Sequence, residues 1–195
     1  GLLRRRHIID AAQLLSIDAA YKYGRSGADA LRDVIQKIRV KATARRDIFR
    51  WVVFNVLIGN SDAHLKNLSL YASREGYALA PHYDLLSTVS WSLPEHMGRA
   101  APAWPNLDLS FPIGDARTFA ALRPHHFMQL AEAIGFKRKL AEIELAQLAA
   151  KVIPAADAVM EEYLAREDIP ATLRPGQARM LNAIRSMPVR EMAHV

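Results

Sequence analysis

The chain has 195 residues, 51% hydrophobic and 24% charged, enough for one sizeable core and too apolar for extended disorder. It contains no cysteine, which excludes disulfides and thiolate-bound metals and suits a reducing cytoplasm. The net charge of +6 is mostly scattered, as on a solvated surface; only Lys37, Arg39, Lys41, Arg45, Arg46 and Arg50 form a dense cluster, suited to phosphates or an acidic partner.

The start, Gly1-Leu2-Leu3-Arg4-Arg5-Arg6, is basic but lacks the apolar stretch of a signal peptide. No apolar run reaches the roughly 18 residues of a membrane span. Without an initiator Met, the chain reads as a piece of something longer. Residues 7–16 carry Ile8, Ile9, Ala12, Leu14 and Leu15, a helical pattern. A second pattern opens at Ser26-Gly27 and runs through Ala30, Leu31, Val34, Ile35 and Ile38. A longer helix is expected over 43–58, with Thr43 as its N-cap and apolar residues on nearly every face, so it should be central and buried. Gly59-Asn60 is a stop signal.

Leu68-Ser69-Leu70-Tyr71 and Tyr77-Ala78-Leu79-Ala80 alternate around the turn Arg74-Glu75-Gly76, which predicts a β-hairpin ended by Pro81. Residues 87–114 are rich in Pro, Gly, Ser and Trp and read as a long surface loop. Helical periodicity resumes over 115–122, 124–134 and 138–152, with Gly135 ending the second and Pro154 breaking or kinking the third. Further helices are expected over 155–166 and 175–186. The fold class is mostly α: one helical domain with a small hairpin inserted after its central helix.

The chemistry concentrates in two segments, Asn60-Ser61-Asp62-Ala63-His64-Leu65-Lys66-Asn67 and Pro81-His82-Tyr83-Asp84-Leu85. A hairpin over 68–80 returns the chain to its start, so Asp62, Asn67 and Asp84 can share one pocket. An Asp, an Asn five residues later and a second Asp after a hairpin outline a protein-kinase catalytic loop and its metal-binding Asp. Phosphoryl transfer needs an acceptor hydroxyl held in line and its proton taken up, which a carboxylate at a loop tip can do. It also needs Mg²⁺, which takes hard oxygen ligands and keeps several waters, so Asp84 and Asn67 suffice from the protein. Lys66 and His64 would offset phosphate charge.

With these residues in place, Asn60-x-Asp62-x-His64-x-Lys66-Asn67 followed by Pro81-x-Tyr83-Asp84-Leu85 resembles the HipA-type serine/threonine kinases, toxins of bacterial toxin–antitoxin pairs. The opening His7-Ile8-Ile9-Asp10-Ala11-Ala12-Gln13 and Ala20-Tyr21-Lys22-Tyr23 resemble the start of that family's C-terminal domain, and the resemblance extends diffusely past residue 115. It implies a protein-kinase-like C-terminal lobe over 1–195, with Asp62 as catalytic base and His64, Leu65, Lys66, Asn67, Tyr83 and Asp84 as ATP contacts. Asn67 and Asp84 would hold Mg²⁺. It further implies a cytoplasmic bacterial protein, a protein substrate, a helix-turn-helix antitoxin partner and DNA contact through the antitoxin complex, with no membrane role. Ordinary kinases commonly carry Lys two residues after the base, where His64 stands here, and Phe-Gly after the metal Asp, where Leu85-Leu86 stand. Their activation-segment logic therefore does not transfer. No Gly-rich phosphate loop and no strand lysine precede the helices. The expectation is a C-terminal lobe that by itself neither binds ATP tightly nor turns over.

Plainer readings exist for each residue. Asp62 or Asn60 alone could cap a turn, His64 could bond backbone, Lys66 could be solvated, and His82 could be an exposed loop residue. Trp91 and Trp104 read as packing or loop anchors, and His125-His126 as a helix start. Two rival functions compete with the kinase. A metal-dependent hydrolase could use Asp62, His64, His82 and Asp84, but it would leave Lys66 and Asn67 without a role. A non-catalytic module could bridge antitoxin and DNA through the basic cluster at 37–50.

Overall fold

The computed structural model describes residues 5–17, 27–92 and 104–195. The chain opens on a strand, β1 (His7–Asp10), followed by one helical turn, α1 (Ala11–Leu14). This corrects the helix expected over 7–16. The β-branched pair Ile8-Ile9 joins a sheet, and Asp10 then caps α1: its Oδ1 accepts the Gln13 N–H at 2.7 Å while Gln13 Oε1 accepts the Asp10 N–H at 3.1 Å.

Helix α2 (Ala28–Lys37) turns Ala30, Leu31, Val34 and Ile35 into the core, as the periodicity predicts. Helix α3 (Lys41–Leu57) begins before Thr43, which lies inside its first turn and is not the N-cap. The start is set by tertiary anchoring. Ile38 is buried and bridges to Tyr77, so the helix resumes as soon as the chain leaves that contact. Along α3, Ala44, Ile48, Phe49, Trp51, Val52, Val53, Val56 and Leu57 are all buried, and the helix packs against α2 and the later helices α4 and α5. It is the central, nearly fully buried helix expected from its composition.

The hairpin is β2 (Ser69–Ser73) and β3 (Gly76–Leu79), with Leu70 opposite Leu79. It is not a free insert: β1 pairs antiparallel with β2, Ile8 opposite Tyr71, giving a three-stranded sheet ordered β1-β2-β3. Residues 93–103 of the expected loop lie outside the described residues. The rest of that region contains a second sheet, β4 (Asp108–Ile113) and β5 (Ala116–Thr118), turning at Gly114. The helix expected over 115–122 is thus replaced by β5 and a single 3₁₀ turn.

Helix α4 (Pro124–Ala133) ends before Gly135 as expected. Helix α5 (Arg138–Ala165) runs unbroken through Pro154, which joins the two helices expected on either side of it. Pro154 and Ala150, whose carbonyl loses its partner, are both exposed, so water can satisfy that oxygen. Helix α6 (Arg174–Ile184) continues through a π-turn over 185–189 into the short α7 (Arg190–Met192).

Phe49 packs on Phe136 with ring centroids 5.4 Å apart, joining α3 to the end of α4. Arg46 and Arg50 both reach Glu144 of α5, at 2.8 and 2.7 Å, and Arg39 reaches Glu75 at 2.6 Å. Half of the basic cluster is therefore paired within the fold. Among the described residues, no helix is long and apolar enough to cross a membrane.

Candidate active site

The site forms where α3 ends. Gly59 takes φ +69°, a conformation costly for any residue with a Cβ, and releases the chain into the turn that carries Asp62. A 3₁₀ turn, Leu65–Asn67, then feeds β2. The hairpin brings the chain back along β3 to residues 80–87, which have no regular structure and pass over the same turn.

Three of the expected residues meet. Asn67 is buried, and its Oδ1 accepts the His64 N–H at 3.1 Å. That bond fixes the amide's orientation, so Nδ2 faces and donates to Asp84 Oδ2. Asp84 sits at φ +56° in the left-handed region, which a short polar side chain tolerates better than most. Asp62 lies across the turn, its carboxylate about half exposed at 49%, with Oδ1 3.7 Å from His64 Nε2. The exposed oxygen atoms of Asp62 and Asp84 thus open to solvent above a buried Asn67–His64 floor.

The other expected contacts have different settings. Leu65 turns its side chain into the core, and its carbonyl accepts the Leu68 N–H at 3.3 Å. Tyr83 donates its hydroxyl to the Lys66 carbonyl and accepts from Ser69 Oγ at 3.1 Å, so it staples the returning segment to the turn. The His82 ring lies beside that of Trp51, tilted by 33° with centroids 6.4 Å apart. It lines a groove of about 740 Å³ with Asp47, Arg50 and Tyr71. Burial against Trp51 lowers its pKa from 6.5, with Asp47 opposing the shift.

Reading the sequence missed most of the bonds that hold the site together. Asn60, expected as a helix stop or turn cap at the head of the motif, does cap the turn and is also a hub. Its Oδ1 accepts the Asp62 N–H at 3.0 Å, and its Nδ2 donates to Asn55 Oδ1 at 2.8 Å and to the Asp84 carbonyl at 3.1 Å. Asn55, which falls in the helical spacing of an apolar face, is buried and donates to the Trp51 carbonyl at 2.8 Å. A polar residue inside so apolar a helix was the available signal, since buried amides are retained only with partners. Ser61 and Thr88 also bond each other, with no signal in spacing.

A second cluster brings ligand atoms of Asp115, His125 and His126 within 4.8 Å of one another. In it, His126 Nδ1 accepts the Arg123 N–H at 2.9 Å and Nε2 faces Asp115 at 2.8 Å. The ring proton is therefore on Nε2, with Nδ1 capping the start of α4 and Nε2 tied to Asp115 in the β4–β5 turn, so both nitrogens are engaged within the fold.

The family model of the HipA-like C-terminal domain matches residues 2–156. The serine/threonine-protein kinase toxin HipA of Shewanella oneidensis is 36% identical over 97 residues, covering 43% of this chain and 22% of that protein. The fold is similar to that in a solved complex described as the Shewanella oneidensis MR-1 toxin–antitoxin system HipA, HipB and its operator DNA. There the TM-score is 0.70 at 24% identity, over 98% of this chain and 46% of the other. The chain thus spans less than half the length of the solved chain it matches.

Proposed function

The chain belongs to the HipA-like C-terminal domain family, and on that premise we propose that it is the catalytic lobe of a serine/threonine protein kinase, passing the γ-phosphoryl group of ATP to a protein hydroxyl. The observation that carries this reading is the meeting of Asp62, Asn67 and Asp84 at one mouth, tied by the Asn67–Asp84 hydrogen bond and by Asn60.

Asp84 offers magnesium a hard carboxylate, while the Asn67 amide turns its Nδ2 to that carboxylate and keeps its oxygen on the His64 N–H, so the amide would have to turn over to serve as the second oxygen ligand of an ion that keeps its waters. Bound Mg-ATP would supply the phosphoryl group and the charge neutralisation that lets it transfer. Asp62, exposed at the loop tip, aligns the acceptor hydroxyl and takes up its proton. His64 and Lys66 lie beside the phosphate position. Tyr83 holds the segment that presents Asp84. Each of these tasks is positioning or electrostatics, which is what phosphoryl transfer asks of a protein.

The hydrolase alternative draws on His82, whose ring is engaged with Trp51 in the neighbouring groove. From the solved toxin–antitoxin complex with operator DNA we carry over an antitoxin as partner, with DNA contacted through that complex; that the antitoxin is a helix-turn-helix protein rests on the family resemblance of the motif. The internal pairing of Arg39, Arg46 and Arg50 supports indirect contact over a DNA surface on this lobe. A cytoplasmic location belongs to the same proposal.

The test is phosphorylation in trans by the full-length protein, tracked with γ-labelled ATP. Asp62→Asn is expected to lower the rate by at least about 100-fold, the usual scale for a lost general base. Wild-type rates in that variant would remove Asp62 from the role.

A further inference from the structure

Besides Asn60, one hydroxyl gathers three contacts on the turn that carries Asp62. Thr88 Oγ1 accepts the Ser61 N–H at 2.7 Å, lies 2.8 Å from Ser61 Oγ and donates to the Gly59 carbonyl at 3.2 Å. A threonine hydroxyl has one proton and two lone pairs. With its proton on Gly59, it must accept from both the amide and the hydroxyl of Ser61, so its bonding capacity is filled. The adjoining Val89 N–H donates to the same Gly59 carbonyl at 3.2 Å. Both residues flanking the turn's first half are thus fixed from a segment that begins four positions after Asp84.

We infer that Thr88 is a positioning residue: its hydroxyl locks residues 59–61, and through them Asp62, to the segment that presents Asp84. The inference rests on the kinase proposal for its functional half. The physical reason is geometric. Asp62 and Asp84 lie on separate segments, and a loop tip shifted by about 1 Å can cost about 100-fold in rate. Asn60 couples the two segments on the buried side, and Thr88 couples them on the partly buried side.

The experiment compares Thr88→Val, which keeps shape and removes the hydroxyl, with Thr88→Ser, which keeps the hydroxyl, both in the full-length protein. Amide hydrogen exchange at Ser61 and Asp62 is expected to quicken by about tenfold or more in the Val variant and to stay near wild type in the Ser variant. The rate constant kcat for phosphotransfer is expected to fall about 10- to 100-fold in the Val variant with KM for ATP unchanged, and to recover in the Ser variant. Unchanged exchange in Thr88→Val overturns the lock. Faster exchange with unchanged kcat overturns the positioning role and leaves Thr88 an ordinary structural bond. An inactive wild-type protein would instead count against the kinase proposal, and the exchange measurement would still decide whether Thr88 holds the turn.

Discussion

His82 is two residues from Asp84, yet its imidazole lies in the groove beside Trp51, partly withdrawn from water while the residue as a whole stays exposed. That partial burial disfavours the charged ring and lowers its pKa below 6.5, with Asp47 pulling the other way. Between the lowered value and 6.5, the unfolded chain binds more protons than the native one, so acid favours unfolding. The contribution is intact above 6.5 and is lost as pH falls through that window. Urea denaturation at pH 7 and pH 5 should show a larger loss for wild type than for His82→Gln. The difference should stay below about 1 kcal/mol, because solvent screens the exposed side. Equal losses would mean that the ring is not desolvated. The residue scale also shows what a sequence makes legible. Asp62, Asn67 and Asp84 stand out because the chemistry proposed for them fixes both type and spacing. Asn60 as a turn cap and Asn55 as a lone amide in an apolar helix leave a trace, and Thr88 leaves none; the long-range partners of Asn60 and Thr88 are chosen by the fold, the Asp84 carbonyl for Asn60 and the turn at 59–61 for Thr88.

At the scale of elements, length and period decided what could be read. The long apolar helix α3 and the alternating hairpin were both visible, since each repeats its signal several times. The short strands β1 and β4 were not. In β1 the two isoleucines also fit a helical period, and in β4 Pro112 interrupts the alternation of Leu109, Phe111 and Ile113. Pro112 is tolerated because a two-stranded sheet leaves edge positions unpaired. Helix α5 shows the opposite error, since a proline that signals a break stands in a continuous 28-residue helix. Packing of α5 on α3, through Glu144 between Arg46 and Arg50, holds the helix against that local cost. If so, the cost is still present. Pro154→Ala should restore one hydrogen bond and raise stability by about 2 kcal/mol, less than the roughly 3 kcal/mol of an interior proline because the unfolded chain also loosens. A thermal melt that does not rise would mean the helix bends to accommodate the ring.

The family match ends at residue 156, yet the C-terminal stretch beyond it is no appendage. Pro188, in the π-turn beyond α6, reaches back to Gly59 at the root of the candidate catalytic turn. A Cβ at Gly59 would stand 2.7 Å from Pro188 Cβ and 2.5 Å from Val89 Cγ2. Three remote parts of the chain therefore close on one glycine: the end of α3, the segment after Asp84 and the C-terminal turn. Gly76 supplies the comparison, because it too has positive φ, at +110°, while the nearest neighbour of its added Cβ is 4.0 Å away. Gly76→Ala carries backbone strain alone, about 1–2 kcal/mol. Gly59→Ala adds overpacking against two side chains that cannot both retreat, for a total of about 3–4 kcal/mol. Chemical denaturation of the two variants would read that difference directly, and equal losses would show that Pro188 does not press on the turn. Since native stability is on the order of 5–15 kcal/mol, the larger loss is a substantial share of it. The C-terminal turn is then part of what fixes Asp62, even though it lies outside both the candidate catalytic motif and the family match.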